Sequence, residues 1–261
     1  YESMADELVF VLGPALVGIA ASASVPSAPL LLAFILSLVA GLPFAFTAPK
    51  DTIGEQTKSE GATDAPVRPK IFAVIWAVLP GIVALIGVGT FFGSVQAATT
   101  SRAELAGMAS QAGLMYAVMG VGSALAALLV VTLPAWFKMS SRLIVFGIGV
   151  TAAISVVAVI HGLALTTVIL GVSGIFVGPT LVTAFALSER LAPPGGISVA
   201  MTLMQSSVTI GVSLGAAVGG AIAEGSGDAP TYFFAASAGI LIVLVGLFLA
   251  LPYYRNRHRE I

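Results

Sequence analysis

Apolar residues in this chain come in long runs and do not alternate with polar ones. Eight runs stand out, at roughly 5–24, 28–49, 71–98, 106–134, 143–161, 164–188, 197–223 and 231–252. About 20 apolar residues in a helix cross the hydrocarbon core of a bilayer. Each run therefore predicts one membrane-crossing α-helix. A membrane β-barrel would instead show segments of about ten alternating residues. The breaks carry turn chemistry, at Ser24-Val25-Pro26-Ser27, His161-Gly162, Pro193-Pro194-Gly195-Gly196 and Gly225-Ser226-Gly227-Asp228-Ala229-Pro230. The last two are expected to be plain loops.

One stretch breaks the pattern. Lys50, Asp51, Glu55, Lys58, Glu60, Asp64, Arg68 and Lys70 lie among Gly, Pro, Ser and Thr and mark a solvated linker over 50–70. Two predicted spans precede it, within 1–49. Six follow, within 71–261, with a basic tail. The predicted fold is all-α and integral to the membrane.

Composition removes the soluble alternative. Only 9% of the residues are charged, 58% are hydrophobic, and the mean hydropathy is +1.06. A soluble domain carries roughly 25% charged residues to wet its surface. The net charge of −1 gives no footprint for nucleic acid. Cysteine is absent, which removes disulfides and thiolate chemistry. The acidic start Tyr1-Glu2-Ser3-Met4-Ala5-Asp6-Glu7 is unlike the positive n-region of a signal peptide.

Lys and Arg in short loops set the orientation. With the 50–70 linker in the cytoplasm, the inner set is Lys50, Lys58, Arg68, Lys70, Lys138, Arg142, Arg190, Arg255, Arg257 and Arg259, and the outer set is Arg102 alone. Both ends of this chain are then expected in the cytoplasm, and the membrane is the cytoplasmic (inner) one. Trp136, Tyr253 and Tyr254 fall at the inner interface and Tyr232 at the outer one, as expected of aromatic anchors. Helix association in lipid relies on small residues that let backbones approach. Gly211, Gly215 and Gly219 form overlapping GxxxG steps, with Gly220 extending the face; Gly113, Gly120 and Ala124 suggest the same in the fourth run.

Two spans, a charged cytoplasmic linker and six further spans resemble the latter part of a major facilitator superfamily carrier. Gly13-Pro14-Ala15-Leu16-Val17-Gly18 resembles the fifth-helix motif of the drug:proton antiporter branch, although a single glycine, Gly18, stands where the motif has two. Leu79-Pro80-Gly81 with Gly93 is similar to the seventh helix of efflux-type members. Gly113-Leu114 and 120–125 are similar to the eighth, and Gly178-Pro179-Thr180 with 189–194 to the tenth. The run 211–220 is similar to the eleventh. The resemblance implies that the eight runs are helices five to twelve. The first four, and the basic signature between helices two and three, lie outside this sequence; only the basic character of that signature's pseudo-repeat survives, over 134–142. It further implies a secondary transporter working by alternating access, with proton-coupled efflux of a small molecule. The alternative from another class is a non-transporting membrane scaffold or a truncated carrier remnant.

Candidate chemistry is sparse. No P-loop or HExxH is present, and His161 and His258 fall at opposite membrane faces. No catalytic residue, metal or cofactor is expected, and the chain is not expected to be an enzyme. Ionisable groups inside a membrane are functional candidates by default. Glu7 is the best, either as a proton-coupling carboxylate or as an acidic residue at a wet helix N-terminus. Gln205 is a candidate substrate-lining amide or a helix bridge, beside Ser206, Ser207 and Thr209. Gln96 and Gln111 are placed near outer ends, and Trp76 and Tyr116 are candidate cavity aromatics. Gly13-Pro14 and Gly178-Pro179 mark kinks or hinges, because proline removes a backbone bond and clashes one turn back. The expected partners are a small-molecule substrate, the bilayer, protons, and the missing N-terminal helices or a partner chain.

Overall fold

The computed structural model describes residues 27–47, 69–134 and 136–251. Seven α-helices are described: α1 Ala28–Thr47, α2 Ile71–Leu105, α3 Ala112–Leu129, α4 Met139–Val159, α5 Leu163–Leu191, α6 Ile197–Ser226 and α7 Asp228–Ala250. Short 3-10 turns at Ala109–Gln111 and Val130–Thr132 flank α3, and no strand occurs among the described residues. The all-helical outcome has a simple cause. Only a helix satisfies its own backbone polar groups where no water is present.

Helices α2 to α7 are long and apolar enough to cross a membrane. They make the chain a multi-pass membrane protein. α1 coincides with the second predicted run. The first predicted run and the 50–68 part of the linker lie outside the described residues. So do Glu7, Gly13, Pro14, Gly18, Tyr253 and Tyr254.

The helices run further than their apolar cores suggested. α2 continues to Leu105 and α6 to Ser226. The loop expected over 225–230 shrinks to Gly227, whose φ of 89° turns the chain directly from α6 into α7. Gly162 and Gly195 turn the chain at positive φ in the two other breaks. Successive helices alternate in direction. α2, α4 and α6 finish at one end of the bundle, called here the far end, where α3, α5 and α7 begin. α2, α4 and α6 begin at the near end.

The packing has a twofold internal order. α2 packs most extensively on α6, α3 on α5, and α4 on α7, while α2 also lies against α7 and α5 against α4. Exchanging the trio α2–α4 for the trio α5–α7 leaves this set unchanged. The correspondence reaches single residues. A Cβ on Gly89 or Gly93 would strike the carbonyl oxygens of Val208 and Val212, and one on Gly174 or Gly178 would strike those of Met119 and Ser123. A shift of 85 positions carries the first glycine pair onto the second, and a shift of 89 carries Met119 and Ser123 onto Val208 and Val212. Gly122 closes on the Gly171 carbonyl as Gly211 closes on that of Ile86. α4 and α7 meet symmetrically: a Cβ on Gly147 would lie 3.1 Å from Val243 N, and one on Gly239 would lie 3.0 Å from Thr151 N. An odd number of helices per trio makes the second enter the bilayer from the opposite side. The bundle is a pair of inverted three-helix repeats.

The glycine seam of α6 therefore has an intramolecular partner. Gly211 and Gly215 seat against α2, and Gly219 lies near Ser94. Gly220 does not extend this face, since a Cβ there would meet nothing within 4 Å. In α3 the close approach is made by Gly122. Tyr232 is not an interfacial anchor: it is fully buried, with 0% exposure, and shares a 3.0 Å hydrogen bond with Thr99. Trp136 is exposed, as an interfacial anchor would be.

Candidate functional site

α6 carries a row of exposed polar side chains between exposed apolar ones. Thr202, Gln205, Ser206, Thr209 and Ser213 are all exposed. Spacings of three and four place them on one face. Gly211, Gly215 and Gly219 bury the opposite side against α2. The hydroxyls of Thr202, Thr209 and Ser213 donate to carbonyls one turn back, at 3.0, 3.1 and 2.9 Å. That leaves the Gln205 amide as the strongest outward-facing polar group of the stripe.

The stripe continues through Ala216 and Gly220 to Glu224, and there it opens into a cleft of about 610 Å³. α2 supplies Gln96, Thr100, Ser101 and Glu104, and α6 supplies Ala216, Gly220 and Glu224. The cleft has a steric origin. α2 and α6 are tightest where Gly89 and Gly93 meet Gly211 and Gly215, and beyond that crossing α6 presents Ala216, Gly220 and Ala223 to the gap before Glu224 at its end. Side chains this small cannot fill it. From Thr202 to Glu224 the stripe is about 33 Å long at 1.5 Å per residue. The hydrocarbon core of a bilayer is about 30 Å thick. The polar positions Thr202 to Ser213 cover about 17 Å, roughly half that depth, and Glu224 lies towards the far end of the same face.

The shift of 89 carries Thr202, Gln205, Ser206, Thr209 and Ser213 back onto Gly113, Tyr116, Ala117, Gly120 and Ala124 of α3, a face of small residues and the buried Tyr116. The two repeats share their packing but not the chemistry of this face.

The sequence candidates separate on this geometry. Gln205 stands on the stripe, exposed and not buried as a helix bridge would be. Gln96 lines the cleft. Gln111 is exposed in the 3-10 turn before α3. Tyr116 is 5% exposed and its ring meets Phe92 edge-on, so it belongs to the bundle core and lines no cavity. Trp76 is 60% exposed at the near end of α2 beside Phe72, away from the cleft. Gly178 and Pro179 are buried in α5, with Gly178 seated on Ser123 and the Thr183 hydroxyl donating to the Pro179 carbonyl at 2.7 Å. Glu104 and Glu224 were not among the sequence candidates. Both lie just beyond the apolar runs that end near 98 and 223, and the helices carry them on into the cleft. Among the described residues no cluster of three or more His, Cys, Asp or Glu offers a metal site.

No family model, curated protein or solved structure matches the chain.

Proposed function

We propose that this chain is part of a secondary transporter of the major facilitator type, contributing two helices of one bundle and the whole six-helix second bundle. The observation that carries this reading is the polar stripe of α6 over Thr202 to Ser213, whose face continues through Ala216 and Gly220 into the cleft. A scaffold helix facing lipid gains nothing from Gln, Ser and Thr in register over that length, whereas the wall of a substrate path needs them. The inverted three-helix repeats support the same reading, because secondary carriers are commonly built from such repeats around a midplane site. In this view α6 forms one wall of the path and the other bundle faces it. The substrate is a small amphipathic molecule, moved outward across the cytoplasmic membrane in exchange for protons, and both ends of the chain are cytoplasmic.

The test is dye efflux from energised vesicles carrying the full-length protein. Gln205→Leu and Ser206→Leu together are expected to lower gradient-driven flux at least tenfold at unchanged protein level. Val121→Leu, on the apolar face of α3, is expected to leave it unchanged. Absence of gradient-dependent flux in the wild type, or wild-type flux in the Gln205/Ser206 variant, would refute the reading.

A further inference from the structure

Arg102 is a buried cation near the end of α2, with 9% exposure. Its guanidinium touches three other helices at once. Nε pairs with Asp228, the first residue of α7. Nη1 donates to the Val157 carbonyl at 2.9 Å and to the Thr166 hydroxyl at 2.8 Å. Its plane lies 4.6 Å from the ring centre of Tyr232. Val157 is in the last turn of α4, whose carbonyls lack helical partners, so Arg102 also caps that helix. Thr166 is in the first turn of α5. One side chain therefore joins the ends of α2 and α4, from the first repeat, to the starts of α5 and α7, from the second.

The near-end positions that the repeat relates to this clasp do not reproduce it. The shifts that relate the repeats carry Arg102 onto Leu187 and Thr166 back onto Gly81. A shift of 92 relates α4 and α7, and it carries Asp228 back onto Trp136 and Tyr232 onto Ser140. None of these four near-end residues is charged. The backbone packing is symmetric between the two ends, and the ionic clasp is not.

We propose that Arg102 is a fixed clasp that locks the two repeats together at the far end and confines relative movement of the repeats to the near end. A guanidinium with three directed bonds and a stacked ring holds one geometry. An apolar contact without directed bonds slides at little cost. The bundle then flexes like a hinged pair of blades, joined at the far end.

The chain has no cysteine, so spin labels on introduced cysteines report cleanly. Leu105→Cys with Leu165→Cys spans α2 and α5 at the far end, and Phe72→Cys with Glu189→Cys spans the same helices at the near end; all four positions are exposed. Pulsed electron-spin distance measurements on the full-length protein in nanodiscs are expected to give a near-end distribution at least twice as wide as the far-end one. Thr166→Val removes one bond of the clasp, and R102M/D228N removes the pair without leaving a lone buried charge. Both are expected to widen the far-end distribution, the double variant to near-end width. Equal widths at the two ends of the wild type would overturn the proposal. So would a far-end width unchanged in Thr166→Val. The wild-type comparison decides even where the double variant does not fold.

Discussion

Adding one methyl group to Gly89 is expected to destabilise the bundle, and adding one to Gly220 is not, although both glycines lie in long membrane helices. At Gly89 the new Cβ would overlap the Val208 carbonyl oxygen and would lie 2.8 Å from Val212 N and 2.9 Å from Gly211 Cα. All three are backbone atoms of α6 and cannot rotate away. Ordinary contact would require α2 and α6 to part by roughly an ångström along their tightest seam. Overpacking of this kind costs about 1–3 kcal/mol. The helix-propensity gain of Gly→Ala, up to about 1 kcal/mol, offsets part of it. The net expectation for Gly89→Ala is a loss of about 1–2 kcal/mol. At Gly220 a Cβ would meet nothing within 4 Å, so only the propensity gain remains and the change is neutral or favourable. The assay is reversible unfolding in mixed micelles followed by the emission of Trp76 and Trp136. The internal repeat adds a second condition. Gly174 faces Met119 and Ser123 as Gly89 faces Val208 and Val212, so Gly174→Ala should lose a similar amount. Equal stability of Gly89→Ala and Gly220→Ala would refute the packing argument. A loss at Gly89 without one at Gly174 would refute the repeat.

Tyr232→Phe leaves the Thr99 hydroxyl, 3.0 Å from the lost oxygen, without that partner, and is expected to cost about 1 kcal/mol in the same unfolding assay; Thr99→Val added to it should cost little more. Gly227→Ala forces a side chain into a backbone at φ 89° and ψ −175°, a region that only glycine occupies readily, and should cost about 1–3 kcal/mol, whereas Gly225→Ala, in open helix, should cost nothing. Asp228→Asn alone weakens the partner of a buried arginine and is expected to destabilise more than R102M/D228N, measured by the same unfolding.

Hydropathy made the spans legible because lipid imposes one demand on every residue of a run. It could not say which way a residue faces. Tyr232 was assigned to the interface by depth, yet it lies inside the bundle beneath Arg102. Gln205 was read as a substrate-lining amide or a helix bridge, and glycines that turn the other side of α6 inward leave the amide outside. Glu104 and Glu224 were lost because an apolar run stops at its last apolar residue, whereas a helix stops where its backbone geometry fails. α2 and α6 therefore carry charge past the hydrophobic boundary. The repeat left one readable trace, a GxxxG step at Gly89/Gly93 and again at Gly174/Gly178. The neighbouring side chains share little else, so only the contacts of those glycines reveal the relation.

The two repeats share their inner seams and differ in what they present outside and at their ends. Symmetric packing requires small residues at matching points, and the glycines of α2, α3, α5 and α6 meet that requirement in both repeats. Nothing in packing requires the rest to match. The first repeat has Gly113, Tyr116, Ala117, Gly120 and Ala124 where the second carries the hydroxyl and amide stripe of α6. The far end holds a charged clasp, and the related near-end positions are Gly81, Trp136, Ser140 and Leu187. On the proposed transport reading, these differences give the path walls and ends of unlike chemistry. The departures from symmetry at Gln205 and Arg102, more than the symmetry itself, are therefore where substitutions should alter function while sparing the fold.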